Sequence, residues 1–137
     1  MDKFLGLFNL KKSDFKNRLS DYFSLFYIKV YVIFLLASNL IIWLLTWLIA
    51  SNIKQETIIL HYNIIFGIDY IGSPVNIYWI PAIGSIWLLI NLIISFVVMR
   101  RDKLLVHLLL SNALVGHVFL GLAIYSIYLI NFVNIKF

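Results

Sequence analysis

Hydrophobic positions in this chain fall into three long runs, at residues 30–50, 77–99 and 104–130, and none of the three contains a fully charged side chain. A helix needs about 20 apolar residues to cross a hydrocarbon core about 30 Å thick, so each run predicts a transmembrane helix. The third is longer than a minimal span and should tilt or emerge past the interface. Residues 1–27 show a different pattern. Phe4, Phe8, Phe15, Leu19, Tyr22 and Phe26 recur at helical spacing, with Lys11, Lys12, Lys16 and Arg18 at other positions. That is an amphipathic helix with a basic face, suited to the headgroup region. A solvated basic tail is the simpler alternative. The chain thus reads as all-α: an interfacial segment at 1–27, a three-helix membrane domain at 28–130 with a partly extended outer loop at 51–76, and a short outer tail at 131–137.

Composition agrees with the pattern. Of 137 residues, 63% are hydrophobic and 12% charged, against about 45–50% and about 25% in soluble domains. The formal charge of +5 is unevenly placed. Lys3, Lys11, Lys12, Lys16, Arg18 and Lys29 precede the first run, and Arg100, Arg101 and Lys103 join the second to the third. Only Lys54 and Lys136 lie elsewhere. Basic residues concentrate in cytoplasmic loops, which predicts a cytoplasmic amino terminus, with the 51–76 loop and the carboxy terminus outside. The same residues attract anionic headgroups, making the bilayer the expected partner rather than nucleic acid. Cysteine is absent, excluding disulfides and thiolate chemistry. Nothing in the pattern calls for a cofactor or a metal.

Polar residues inside the runs need partners on neighbouring helices. Asn39, Asn91 and Asn112 each stand about eight or nine residues from the basic end of their run, about 12–14 Å deep at the rise of a helix. An asparagine belt holding a three-helix bundle is the expectation, helped by Gly84 and Ser95 beside Asn91, and by Gly116 and Ala123 beside Asn112. The other reading is a polar path for an ion or solute, which would normally bring an intramembrane carboxylate or a broken helix. His117 falls near the depth of Ser85 and should be a neutral imidazole hydrogen-bonded to a hydroxyl or carbonyl. His107 is about 15 Å away along the same helix, too far to share a metal.

The outer loop carries the remaining chemistry. Residues 57–64 are rich in β-branched side chains and suit an extended segment, and Gly67, Asp69, Gly72, Ser73 and Pro74 supply turn residues. Leu60, Ile64, Ile65, Phe66 and Ile71 are too apolar for a freely solvated loop, so the loop should fold back on the mouth of the bundle. His61 and Asn63 project from one face of an extended segment, and a turn through Gly67 can return Asp69 to them. The result is an imidazole–carboxylate pair or a site for a polar ligand. Alternatively, the three groups satisfy backbone donors and acceptors in a compact loop. One aspartate and one glutamate are too few for a hard-cation cage, and the loop offers no nucleophile for catalysis.

The order His61, Asn63, Asp69, Gly72, set between two membrane helices, resembles the outer-loop domain of bacterial membrane proteins related to the sporulation-delaying-toxin immunity protein. Gly67 stands one residue away from that family's intervening glycine, and its proline before the histidine is missing. The run 60–72 is similar to small three-helix membrane proteins of candidate-phyla bacteria. The resemblance covers roughly 28–130, with its specific positions confined to the loop. It implies a bacterial inner-membrane location and a helix–loop–helix–helix plan. Members of the larger family have more helices, so it implies a trimmed relative.

The expected function is that of a small non-enzymatic multi-pass membrane protein, immunity-like or sensory, recognising a ligand or partner through His61, Asn63, Gly67, Asp69 and Gly72. A structural subunit of a larger membrane complex, docking through its amino-terminal helix, is the alternative. An oligomeric transporter is a third. The small-residue faces also suit a homo-oligomer.

Overall fold

Leu25 divides the first two helices. In the computed structural model, which describes residues 12–63 and 65–133, helix α1 (Lys12–Ser24) stops at this residue. Its extended backbone then starts helix α2 (Phe26–Asn52). A hairpin follows, made of β1 (Ile58–Asn63) and β2 (Gly67–Gly72). A 3-10 turn at Pro74–Tyr78 leads into helix α3 (Trp79–Val98). Asp102 caps the last helix, α4 (Lys103–Phe132), its carboxylate accepting from the Leu104 and Leu105 amides at 2.8 and 3.1 Å. The capping side chain satisfies donors that the first turn of a helix leaves orphaned.

Helix α2, the 3-10 turn with α3, and α4 are each long and apolar enough to cross a membrane. They exceed the apolar runs at several ends because the helices continue into the polar boundary. Phe4, Phe8, Lys3 and Lys11 of the expected amphipathic helix, and residues 134–137 of the expected tail, lie outside the described residues, as does Ile64.

Each spanning helix buries one narrow seam. On α2 it is Ile28, Leu35, Ile42 and Ile49, spaced by sevens. On α3, Pro81, Gly84, Leu88, Asn91 and Ser95 alternate steps of three and four, and on α4 so do Val106, Leu110, Ala113 and His117. A repeat of 3.5 residues keeps a seam facing its neighbours along a bundle. Leucine, isoleucine and phenylalanine cover most of the outward surface, as suits helices whose solvent is lipid. Polar side chains are nonetheless buried on each: Thr46 on α2, Asn91 and Ser95 on α3, and His117 on α4. Glycines allow close approach between α3 and α4: a Cβ on Gly84 would stand 3.0 Å from Leu120 Cδ1 and 3.5 Å from the Asn39 amide, and one on Gly116 2.9 Å from the Trp87 indole nitrogen.

The expected face of α4 is corrected by one position. Asn112 and Ala123 are exposed, whereas Ala113, His117 and Ile124 are buried. The two sets share a period, but neighbouring residues on a helix are about 100° apart. Burying His117 with its partners rotates Asn112 outward.

The core has two apolar clusters. One, at the α1 end, includes Tyr22, Ile28, Leu35, Leu88, Val106 and Leu110. The other, at the hairpin end, includes Ile42, Ile49, Ile58, Ile77, Ile124 and Ile127. Between them lies a polar layer. Helix α1 belongs to the first cluster: Tyr22 is buried, its hydroxyl 2.5 Å from Ser95 Oγ, and Phe15 and Tyr22 meet Phe96 edge to face. Of the expected aromatic stripe, Leu19 and Phe26 remain exposed.

The outer loop departs from an all-α plan. Its second half, expected as turns, pairs with its first as an antiparallel two-stranded sheet. Ile58 faces Gly72 at one end and Asn63 faces Gly67 at the other, with register shifts on both sides of His61.

Candidate functional site

The hairpin is fastened at its base and open at its tip. Ile58 is buried in the second core cluster, with Leu60 packed against that cluster. Asn131, near the end of α4, grips the backbone of Ile59 from the side. Its Oδ1 accepts from the Ile59 amide at 3.0 Å, and its Nδ2 donates to the Ile59 carbonyl at 2.7 Å. A carboxamide presents an N–H donor and a carbonyl acceptor side by side, with a second N–H to spare, so it can substitute for a neighbouring strand. The Asn131 Nδ2 also donates to Ile127 O at 2.9 Å, which holds the side chain in place.

The turn follows from two residues. Asn63 Oδ1 accepts from the Ile65 amide at 2.8 Å and the Phe66 amide at 3.4 Å, an asparagine turn. Gly67 then adopts φ +78°, a conformation side-chain-bearing residues rarely take. At the far end of β2, a Cβ on Gly72 would come within 2.7 Å of Leu60 Cδ1 and 2.9 Å of Asn76 Nδ2. Glycine there lets β2 lie against the following turn.

Between these ends, His61 Nδ1 and Asp69 Oδ1 are 2.7 Å apart. The pair is at the surface, the side chains 64% and 40% exposed. The ring proton lies on Nδ1 in this bond, which leaves the outer Nε2 to meet another group. Of the five loop residues singled out by sequence, His61 and Asp69 form the chemical pair. Asn63, Gly67 and Gly72 build the hairpin that presents it.

Around the pair the surface is apolar. Ile65 and Phe66 at the tip are 82% and 81% exposed, and Ile68, Tyr70 and Ile71 of β2 are exposed as well. The expectation that Ile65, Phe66 and Ile71 tuck under the bundle is therefore corrected. Asn131 and the core take up β1 alone, and the turn projects away from both.

A second polar cluster lies in the layer between the apolar cores. The Trp43 indole donates to Ser85 Oγ at 3.1 Å. Ser85 in turn donates to Asn39 Oδ1 at 3.2 Å, sharing its proton with the Pro81 carbonyl at 3.0 Å. Asn39 Nδ2 meets His117 Nε2 at 3.3 Å, and His117 Nδ1 lies 2.8 Å from the Ala113 carbonyl. These contacts are satisfied together by a neutral imidazole protonated on Nδ1, its Nε2 accepting from the Asn39 amide. The chain of bonds ties all three spanning helices. Asn39 thus joins Ser85 to His117, the pair that depth put at one level, whereas the three asparagines that depth grouped together do not meet. Asn91 is buried and donates to Trp87 O of its own helix at 2.8 Å, while Asn112 is exposed.

Sequence reasoning passed over Asn131 and Trp43. Asn131 ends an apolar run, where a polar residue reads as the start of a tail. The available signal was its helical spacing from Ile127 and Ile124. Trp43 lies inside an unbroken apolar run, and its polar atom is one N–H on a large hydrophobic ring. Comparison of the chain with protein-family models, curated proteins and solved structures finds no match in any of the three.

Proposed function

We propose that this multi-pass membrane protein recognises a partner or ligand through its β-hairpin, with the His61–Asp69 pair supplying direction and the tip supplying apolar contact. The observation that carries the reading is the contrast between base and tip: the hairpin is locked to the bundle by Ile58 and Asn131, yet Ile65 and Phe66 are almost fully exposed. Exposed apolar residues beside polar groups on a held scaffold are the usual make-up of an interaction site. Among the described residues the outer edge of β2 pairs with no further strand, and such an edge is one that an extended segment can join. The distribution of basic residues supports an outward-facing hairpin on the cytoplasmic membrane. The resemblance of the 61–72 segment to the outer loop of the immunity family points the same way, towards immunity-like or sensory recognition without catalysis. The alternative, a subunit docking through α1, has less support, since Phe15 and Tyr22 already pack on Phe96 of α3.

A photo-crosslinking residue in place of Phe66, in intact cells, tests the reading. A discrete adduct is expected, weakened about tenfold by His61→Ala or Asp69→Ala, as loss of one charge-assisted contact implies. An adduct pattern that both substitutions leave unchanged, with insertion intact, refutes it.

A further inference from the structure

On the hairpin side of the Asn39–His117 contact, α2 and α4 leave between them a groove of about 610 Å³. Leu45, Leu48 and Asn52 form one wall and Ile124, Tyr125 and Tyr128 the other; α3 contributes nothing to it. Its size falls within the about 300–1,000 Å³ typical of ligand sites. Both walls belong to helices that are apolar enough to cross a membrane, so the groove opens sideways into hydrocarbon rather than water. Polarity runs along its length. Leu45 lies about 10 Å deeper than Asn52, at 1.5 Å rise per residue. The amide of Asn52 enters towards the hairpin end, with Tyr128 on the facing wall there and Tyr125 about 4.5 Å deeper at the same rise. Phe132 stacks on Tyr128, ring centroids 5.4 Å apart, and stiffens that end of the wall.

We propose that this groove is a binding site for one phospholipid of the hairpin-side leaflet, an acyl chain lying between α2 and α4. Its headgroup and ester oxygens are met by Asn52 and Tyr128. The amide of Asn52 already donates to the Leu48 carbonyl at 2.8 Å, which fixes the side chain at the rim and leaves its second N–H for the lipid. Only molecules dissolved in the bilayer reach an opening at this depth. Among those, an amphiphile with its head at the interface matches an apolar trough that is polar at one end. The site is separate from the hairpin pair and does not depend on it.

The test is retention of lipid after transfer of the full chain from palmitoyl-oleoyl phosphatidylglycerol vesicles into mild detergent, read by native mass spectrometry. One lipid per chain is expected for the unsubstituted protein. Leu48→Trp, at an exposed position in the trough, should lower occupancy about tenfold, the equivalent of roughly 1.4 kcal/mol. Leu89→Trp on the outward surface of α3 should leave it unchanged. Leu45→Phe reads the same trough from the preceding turn, so misfolding of one variant leaves the other to decide. Equal retention in the groove variants and in Leu89→Trp overturns the proposal. So does a lipid-free dimer that Leu48→Trp dissociates, because a second copy then fills the groove.

Discussion

Asn131 and Tyr22 each join parts of the chain far apart in sequence. Asn131 holds both backbone groups of Ile59. Replacing it with leucine keeps bulk but leaves those groups unpaired, at a cost of about 1–3 kcal/mol if no water replaces the amide. Hydrogen exchange at the Ile59 amide should accelerate at least tenfold while α4 stays protected. Tyr22 ties α1 to Ser95. Burial raises its phenol pKa above the ordinary 10.0; the Ser95 hydrogen bond draws it back, and Tyr27 adds to the rise. Unfolded tyrosine thus loses its proton first. The stabilisation is fully present below pH 10 and disappears as pH climbs through the higher folded value. Proteolytic accessibility of α1 should rise in that alkaline window, and Tyr22→Phe should lack this titration. Below it, that variant loses only the hydroxyl bond, about 1 kcal/mol.

Each helix long and apolar enough to cross a membrane buries at least one polar side chain among apolar ones, and substitutions should reveal what these polar groups contribute. Asn39→Leu breaks the link between Ser85 and His117 and leaves the imidazole without its donor. Interhelical hydrogen bonds in membranes are worth about 0.6–2 kcal/mol, so thermal unfolding in detergent should fall measurably. Asn112→Leu is the control: this residue is exposed, and the change should be neutral or stabilising. An equal loss for both would mean that Asn112, too, contacts a neighbouring helix. Depth along the helices was legible in part: counting residues at a fixed rise brings Ser85 and His117 near one level, but it grouped Asn39 with Asn91 and Asn112, because α2 begins at Phe26, four residues before its apolar run. Rotation was not. In runs apolar on every side, hydrophobic periodicity does not mark the inward face, and Asn112 beside His117 offered two faces about 100° apart.

Among the described residues, every basic residue but Lys54 lies at the end of the bundle opposite the hairpin, so the topology they imply can be tested on the whole molecule. The chain has no cysteine, so single cysteines report cleanly. An impermeant maleimide should label Glu56→Cys in intact cells and Arg101→Cys only after the membrane is opened. Labelling of both from one side would remove the basis for an outward-facing hairpin.

Three long, charge-free apolar stretches marked from sequence alone the three helices long and apolar enough to cross a membrane, since in lipid a helix is the way one segment satisfies its own backbone. Local chemistry likewise marked His61 and Asp69 as able to meet across a turn at Gly67. Contacts between distant segments belonged to the tertiary structure: the second strand of the hairpin, its attachment through Asn131, the docking of Tyr22 and the groove between α2 and α4. These depend on which side of each helix turns inward, and that choice is made by the few polar and small residues that must find one another once lipid has taken the apolar ones.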